Sequence, residues 1–160
     1  MIQEDFSTAL QWINKFLNHP RTNIRTDLQA GARLVNLVIH YELGNFDLIE
    51  YNLKSTYRFI YKQERMHNYE RRVLRFFKDA IGETDEAGRL ECMRVFREEL
   101  ILIMEDPFEE RASQIFNILV WLNSRLDGLP LSVAKANEAN NLIGIKQRKE
   151  KDANKVPKIK

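Results

Sequence analysis

Apolar residues recur every three to four positions along almost the whole chain, and strand-like alternation never persists. That period predicts an all-α protein. Phe6, Leu10, Ile13 and Leu17 form one stripe over residues 5 to 17, and NHPRTN then ends the helix because Pro20 has no amide hydrogen to donate. A second helix carries Leu28, Ala32, Val35 and Ile39, with Thr26 or Asn23 as its cap and Gly44 as its stop. A third runs from about Phe46 to Gln63 with Ile49, Leu53, Thr56 and Ile60 inward. The fourth, from about Asn68 to Ile81, has Tyr69, Val73, Phe76, Phe77 and Ala80 on one side, and Gly82 closes it. The fifth, over about residues 84 to 105, has Leu90, Met93, Phe96 or Arg97, Leu100 and Ile103 or Met104 in near-heptad spacing before EDP breaks it. The sixth is expected to start at Pro107 and to run through Phe108, Ala112, Ile115, Leu119, Leu122 and Leu126 to Gly128.

Short loops between amphipathic helices predict antiparallel helical hairpins. They leave two architectures open, a stacked α-solenoid segment and a closed helical bundle. Helix two adds Leu34, Val38 and Tyr41 to its main stripe, and helix six adds Phe116, Ile118, Val120 and Trp121. Two apolar sides suit a helix sandwiched in a stack. Residues 1–130 are read as one helical-hairpin domain of about six helices. Residues 131–160 are expected to begin with a short helix and to end in a basic, disordered tail, since apolar residues give way there to Lys and Arg.

Composition narrows the class. A chain of 160 residues that is 44% hydrophobic and 30% charged suits a soluble globular protein, and with only 6 Gly and 4 Pro it should hold long elements. Cys92 stands alone, so no internal disulfide can form, and a small buried hydrophobe is its simplest role. No apolar run approaches the roughly 18 residues of a membrane span. MIQEDFSTAL also lacks the layout of a signal peptide. A cytoplasmic location and no membrane partner are the expectation.

The segment HYELGNFDLIEYNL resembles the turn of a tetratricopeptide repeat, in which an aromatic-rich helix end meets glycine, then a polar residue and an aromatic that opens the next helix. Tyr41, Gly44, Asn45 and Phe46 match that turn. Leu37 and Ile49 depart from it, standing where the repeat usually has small residues. From about residue 28 to residue 126, YELGNFDLIEYNLKSTYRFIYKQERMHNYERRVLRFFK followed by EDPFEERASQIFNILVWLNSRL resembles the C-terminal part of uncharacterised bacterial tetratricopeptide-like proteins. The resemblance implies an α-solenoid end within a longer natural chain. It speaks to fold, because the shared positions are packing residues.

No catalytic constellation emerges from the residues. His19, His40 and His67 fall in or near turns and a helix end, with no His-Glu-x-x-His pair. Glu64 and His67 have the spacing of a di-iron ligand pair, but neither a second copy nor two further inward glutamates accompany them. The glycines at 31, 44, 82, 88, 128 and 144 are too dispersed for a phosphate loop. A non-enzymatic protein without metal or cofactor is therefore expected.

Charge is unevenly distributed behind a net +2. Residues 54–82 hold eight Lys or Arg against three Asp or Glu, residues 83–110 hold three against ten, and residues 146–160 hold seven against two. Helical spacing gathers Lys54, Arg58, Lys62 and Arg65 on one face, and Arg71, Arg72, Arg75 and Lys78 on another. The candidate binding surface is accordingly Arg58, Lys62, Arg65, Arg72 and Arg75 with Tyr57, Tyr61 and Tyr69 beside them. The favoured function is a protein-interaction module or scaffold of tetratricopeptide-like type, binding a protein partner or a second copy of itself. The second reading is nucleic-acid or polyanion binding through residues 54–78 and the basic tail. Glu91, Glu98 and Glu99 of helix five oppose it by offering neutralising partners, and a pI near 8.7 falls short of a strongly basic footprint.

Overall fold

The computed structural model describes residues 5–19, 25–63 and 66–140, and among them every regular element is an α-helix. These are α1 (Phe6–Leu17), α2 (Thr26–Glu42), α3 (Phe46–Tyr61), α4 (Asn68–Ala80), α5 (Glu86–Ile103), α6 (Pro107–Ser113) and α7 (Ile118–Asp127). An eighth, α8, covers 131–140. The chain divides into two compact units, Met1–Ile118 and Leu119–Lys160. The basic segment beyond 140, with Glu64 and Arg65, lies outside the described residues.

Short polar side chains start several helices. Asp5 accepts the Thr8 amide at 2.9 Å, Asp85 the Gly88 amide at 2.6 Å, and Asp106 the Phe108 amide at 2.8 Å with Pro107 in the first turn. Each satisfies a donor that the helix itself leaves free. Thr26 does not cap α2; it is the first helical residue after Arg25, which makes no side-chain cap bond.

Gly44 ends α2 with φ +69°. The Asn45 amide donates to the His40 carbonyl at 2.9 Å and the Gly44 amide to the Tyr41 carbonyl at 3.1 Å, which is the paired bonding of a Schellman turn. Asn45 Nδ2 also lies 3.3 Å from His40 Nδ1. Burial pushes the His40 imidazole below its ordinary pKa and so favours the neutral ring that can accept this bond.

In the first unit, α2 packs on α1 and α3, α4 packs on α5, and α4 additionally meets α2, α3 and α6. Helix α4 buries Tyr69, Val73, Leu74, Phe76, Phe77 and Ala80, the expected stripe plus Leu74. Phe76 stacks on Phe96 of α5 at 4.4 Å between centroids, and Tyr41 of α2 meets Phe77 edge-on at 6.0 Å. On α3, Ile49, Thr56 and Ile60 are buried as the period requires. Helix α2 is buried on two sides: Ile39 and Ala32 of the expected main stripe are buried along with Leu34, Leu37, Val38 and Tyr41, while Leu28 of that stripe is exposed. Helix α1 buries no residue, and Trp12 is 66% exposed.

The expected sixth helix is two helices. Residues 114–117 interrupt it between α6 and α7. The interruption is held by groups distant in sequence. A Cβ on Gly31 would fall 2.5 Å from Ile115 Cγ2, so the bare glycine lets Ile115 settle against α2. The Tyr69 hydroxyl donates to the Phe116 carbonyl at 2.6 Å and accepts the Ile118 amide at 3.1 Å. Buried Glu109 of α6 in turn accepts the Tyr69 amide at 3.0 Å, supplying a carboxylate to the first turn of α4. A continuous helix through 114–117 would lack these bonds.

In the second unit the buried apolar residues among those described are Leu119, Trp121, Leu122 and Ala134. Ser124 closes the end of α7 by accepting the Leu129 amide on its carbonyl at 3.0 Å.

Two outcomes are expected. Gly44→Ala should lower stability by about 1 kcal/mol, because a Cβ disfavours positive φ although nothing lies within 4 Å of it. A thermal melt with an unchanged or raised midpoint would contradict the turn. Tyr69→Phe should remove about 1–3 kcal/mol by stranding the Phe116 carbonyl and the buried Ile118 amide, measured by urea denaturation.

Candidate binding surface

Helices α3 and α4 leave an open groove of about 690 Å³ between them. Leu53, Leu74 and Ile81 supply its apolar lining, with Tyr57 beside them. Lys54, Arg58, Arg71, Arg75 and Lys78 surround that lining together with Glu50 and Asp79, five cations against two acids. The apolar residues come from the inner edges of the two stripes. The charges come from the flanking rows, where i and i+4 side chains stack along a helix.

The structure distributes the sequence candidates unequally. Arg58, Arg75 and Tyr57 line the groove. Tyr57 and Tyr61 stack on each other at 5.8 Å with rings 13° from parallel, and Tyr61 is two-thirds exposed. Lys62 instead lines a smaller neighbouring cleft, which Arg58 shares. Tyr69 is not on the surface. Its relative exposure is 0%, its hydroxyl is committed to Phe116 and Ile118, and desolvation raises its pKa well above the ordinary phenol value. Its place on the α4 core stripe overrides its proximity in sequence to the cations.

Arg72 also belongs to the fold rather than to the groove. It pairs through Nε with Glu99 of α5, and its guanidinium carbon lies 4.9 Å over the Phe96 ring. Two groove cations have weaker partners: Lys54 Nζ is 2.9 Å from Glu50, and Arg75 Nε is 3.7 Å from Asp79. Both pairs are exposed, where solvent screens such contacts and they yield readily to a competing anion. The repeat-turn residues are structural: Tyr41 packs on Phe46 at 5.8 Å, Gly44 turns the chain, and Asn45 precedes α3.

Lys54, Arg71 and Lys78, grouped by spacing on the basic faces but left off the candidate surface, line the groove, and sequence reasoning missed Leu74 as a groove residue and Glu109 as a buried side chain. Arg71 and Lys78 share the basic face of α4, so their spacing carried the signal. Glu109 carried none, since its partner is forty residues away.

Cys92 is half-buried rather than enclosed. Burial, with Glu83 and Asp79 nearby, pushes its thiol pKa up, which leaves less thiolate for reaction. Among the described residues no group of three or more His, Cys, Asp and Glu side chains could hold a metal ion, and no helix is long and apolar enough to cross a membrane. Comparison with protein-family models, with curated proteins and with solved structures finds no match.

The division between structural and surface cations is testable by stability alone. Arg72→Ser should destabilise by about 1–3 kcal/mol through loss of a charged hydrogen bond and the Phe96 contact. Arg58→Ser should stay within about 0.5 kcal/mol of the parent in the same urea titration. Equal effects would erase the distinction.

Proposed function

We propose that this chain is a non-enzymatic protein-interaction module of tetratricopeptide-like helical-hairpin type, and that it takes an acidic amphipathic segment of a protein partner in the α3–α4 groove. The observation that carries the reading is the lining of that groove, an apolar strip within a positive margin. A helix bearing apolar residues at i, i+3, i+4 and i+7 sets one face into such a strip, and acidic residues on its flanks meet the surrounding cations. Hairpin order supports the repeat character: α2 with α3 and α4 with α5 form successive pairs, and α4 touches both α2 and α6. The Tyr41-Gly44-Asn45-Phe46 turn lies within the first of these pairs.

A continuous polyanion surface is less well supported. Arg72 is engaged by Glu99, and Glu50 and Asp79 lie among the groove cations, so the positive field is interrupted where a phosphate backbone would track it.

Fluorescence anisotropy separates the two. A labelled acidic peptide with leucines at helical spacing should bind, and Tyr57→Ala and Arg75→Ser should each weaken it. A scrambled peptide of the same charge should bind roughly tenfold less tightly, since it cannot align its apolar face. A single-stranded oligonucleotide should lose its binding as salt approaches physiological strength. Equal affinity for both peptides, or salt-resistant binding of the oligonucleotide, would overturn the proposal.

A further inference from the structure

A second cleft, of about 350 Å³, lies where α2 meets α3. It is lined by four cations, Arg33, Lys54, Arg58 and Lys62, with Tyr51, Ser55 and Phe59, and none of the described residues that line it is acidic. We propose that this cleft is a binding site for a phosphate monoester dianion of small-molecule size.

The argument begins with Arg33. It is half-buried, projecting from an α2 whose neighbouring positions are core, and its guanidinium carbon lies 4.4 Å over the Phe59 ring. Its Nε is shielded from solvent and donates to no acceptor. An arginine held in this way has already given up much of its rotamer freedom, so less is lost when it ligates an anion. Burial lowers its pKa, but a guanidinium stays charged in proteins, so the cleft keeps a partly desolvated positive charge without a counter-ion. Such a charge interacts with an anion more strongly than a solvated surface lysine does.

Charge and size then select the ligand. Lys54 is shared with Glu50 at the exposed margin, while Arg33, Arg58 and Lys62 have no acidic partner among the described residues. Three unpaired cations exceed what one carboxylate would neutralise and suit a dianion. The Ser55 hydroxyl adds a neutral donor for a further phosphate oxygen. The volume is at the lower end of the roughly 300–1,000 Å³ range of small-molecule sites, which fits a compact phosphate ester. Lys54 and Arg58 line both the α3–α4 groove and this cleft, whereas Arg33, Ser55, Phe59 and Lys62 line the cleft alone and so distinguish the two sites.

The test follows arginine Nε–H resonances of the full chain labelled with ¹⁵N-arginine while inorganic phosphate, and separately phenyl phosphate, is added against chloride at equal ionic strength. The Arg33 resonance should move saturably with both phosphates and not with chloride. Lys62→Gln, an exposed change that leaves the core intact, should weaken binding by roughly tenfold, and Arg33→Gln should abolish it. Arg75→Gln, confined to the other groove, should leave it unchanged. Vesicles of phosphatidylcholine with and without phosphatidic acid distinguish a lipid headgroup from a soluble ester. Absence of a saturable Arg33 response, equal affinity in Lys62→Gln, or a response only to phosphatidic acid vesicles would overturn the proposal.

Discussion

A buried carboxylate at the start of α4 is the constraint around which the first unit is arranged. Glu109 is nearly inaccessible to solvent, and a buried polar side chain is tolerated only where hydrogen-bond partners meet it. The α4 N-terminus supplies one through the Tyr69 amide, together with the positive end of the helix dipole. The same tyrosine sends its hydroxyl to Phe116 and Ile118, so one residue receives a cap from α6 and supplies a hydrogen-bond partner to the beginning of α7. Neither α6, with seven residues, nor the irregular 114–117 segment would hold its position from local propensity alone. Their placement depends on α4.

Helix α4 also explains why cations that look alike in sequence behave differently. Arg72 and Arg75 are three positions apart, yet Arg72 lies beside Phe96 and Glu99 of α5, whereas Arg75 reaches the groove toward α3. A helix has only one core stripe here, and the rows on either side of it face different neighbours. The row toward α5 meets the acidic helix and is neutralised. The row toward α3 meets another basic helix, so Arg71, Arg75 and Lys78 join Lys54 and Arg58, with Glu50 and Asp79 as the acids among the described lining residues.

The parts of this arrangement that are legible in sequence are those governed by local rules. Gly44 with its following asparagine encodes the turn because the left-handed conformation selects glycine wherever it occurs. The α4 stripe is legible because five apolar residues repeat at the helical period. The break at 114–117 is not, since QIFN contains neither proline nor glycine and its bonds come from Tyr69, forty-seven residues earlier for Phe116. Tyr69 shows the same limit from the other side. Its period places it in the core, its neighbours Arg71 and Arg72 suggest a surface, and packing decides in favour of the period. For the basic surface, spacing identifies which cations share a helix face but not which of them a second helix will neutralise.

The open groove itself follows from the order in which the helices pair. Helix α3 packs extensively on α2, and α4 packs extensively on α5, so the contact of α3 with α4 is the lesser one for both. The buried rows are Ile49, Thr56 and Ile60 on α3 and Phe76 and Phe77 on α4, where Phe76 stacks on Phe96 of α5 and Phe77 meets Tyr41 of α2. The adjoining residues Leu53 and Ile81 are left half-covered at the seam, where they line the open groove. Closing the seam would bring Lys54 and Arg58 toward Arg71, Arg75 and Lys78, and like charges repel more strongly as solvent is excluded. The basic rows thus help keep the apolar strip accessible, so that its exposure and its positive margin have one physical origin.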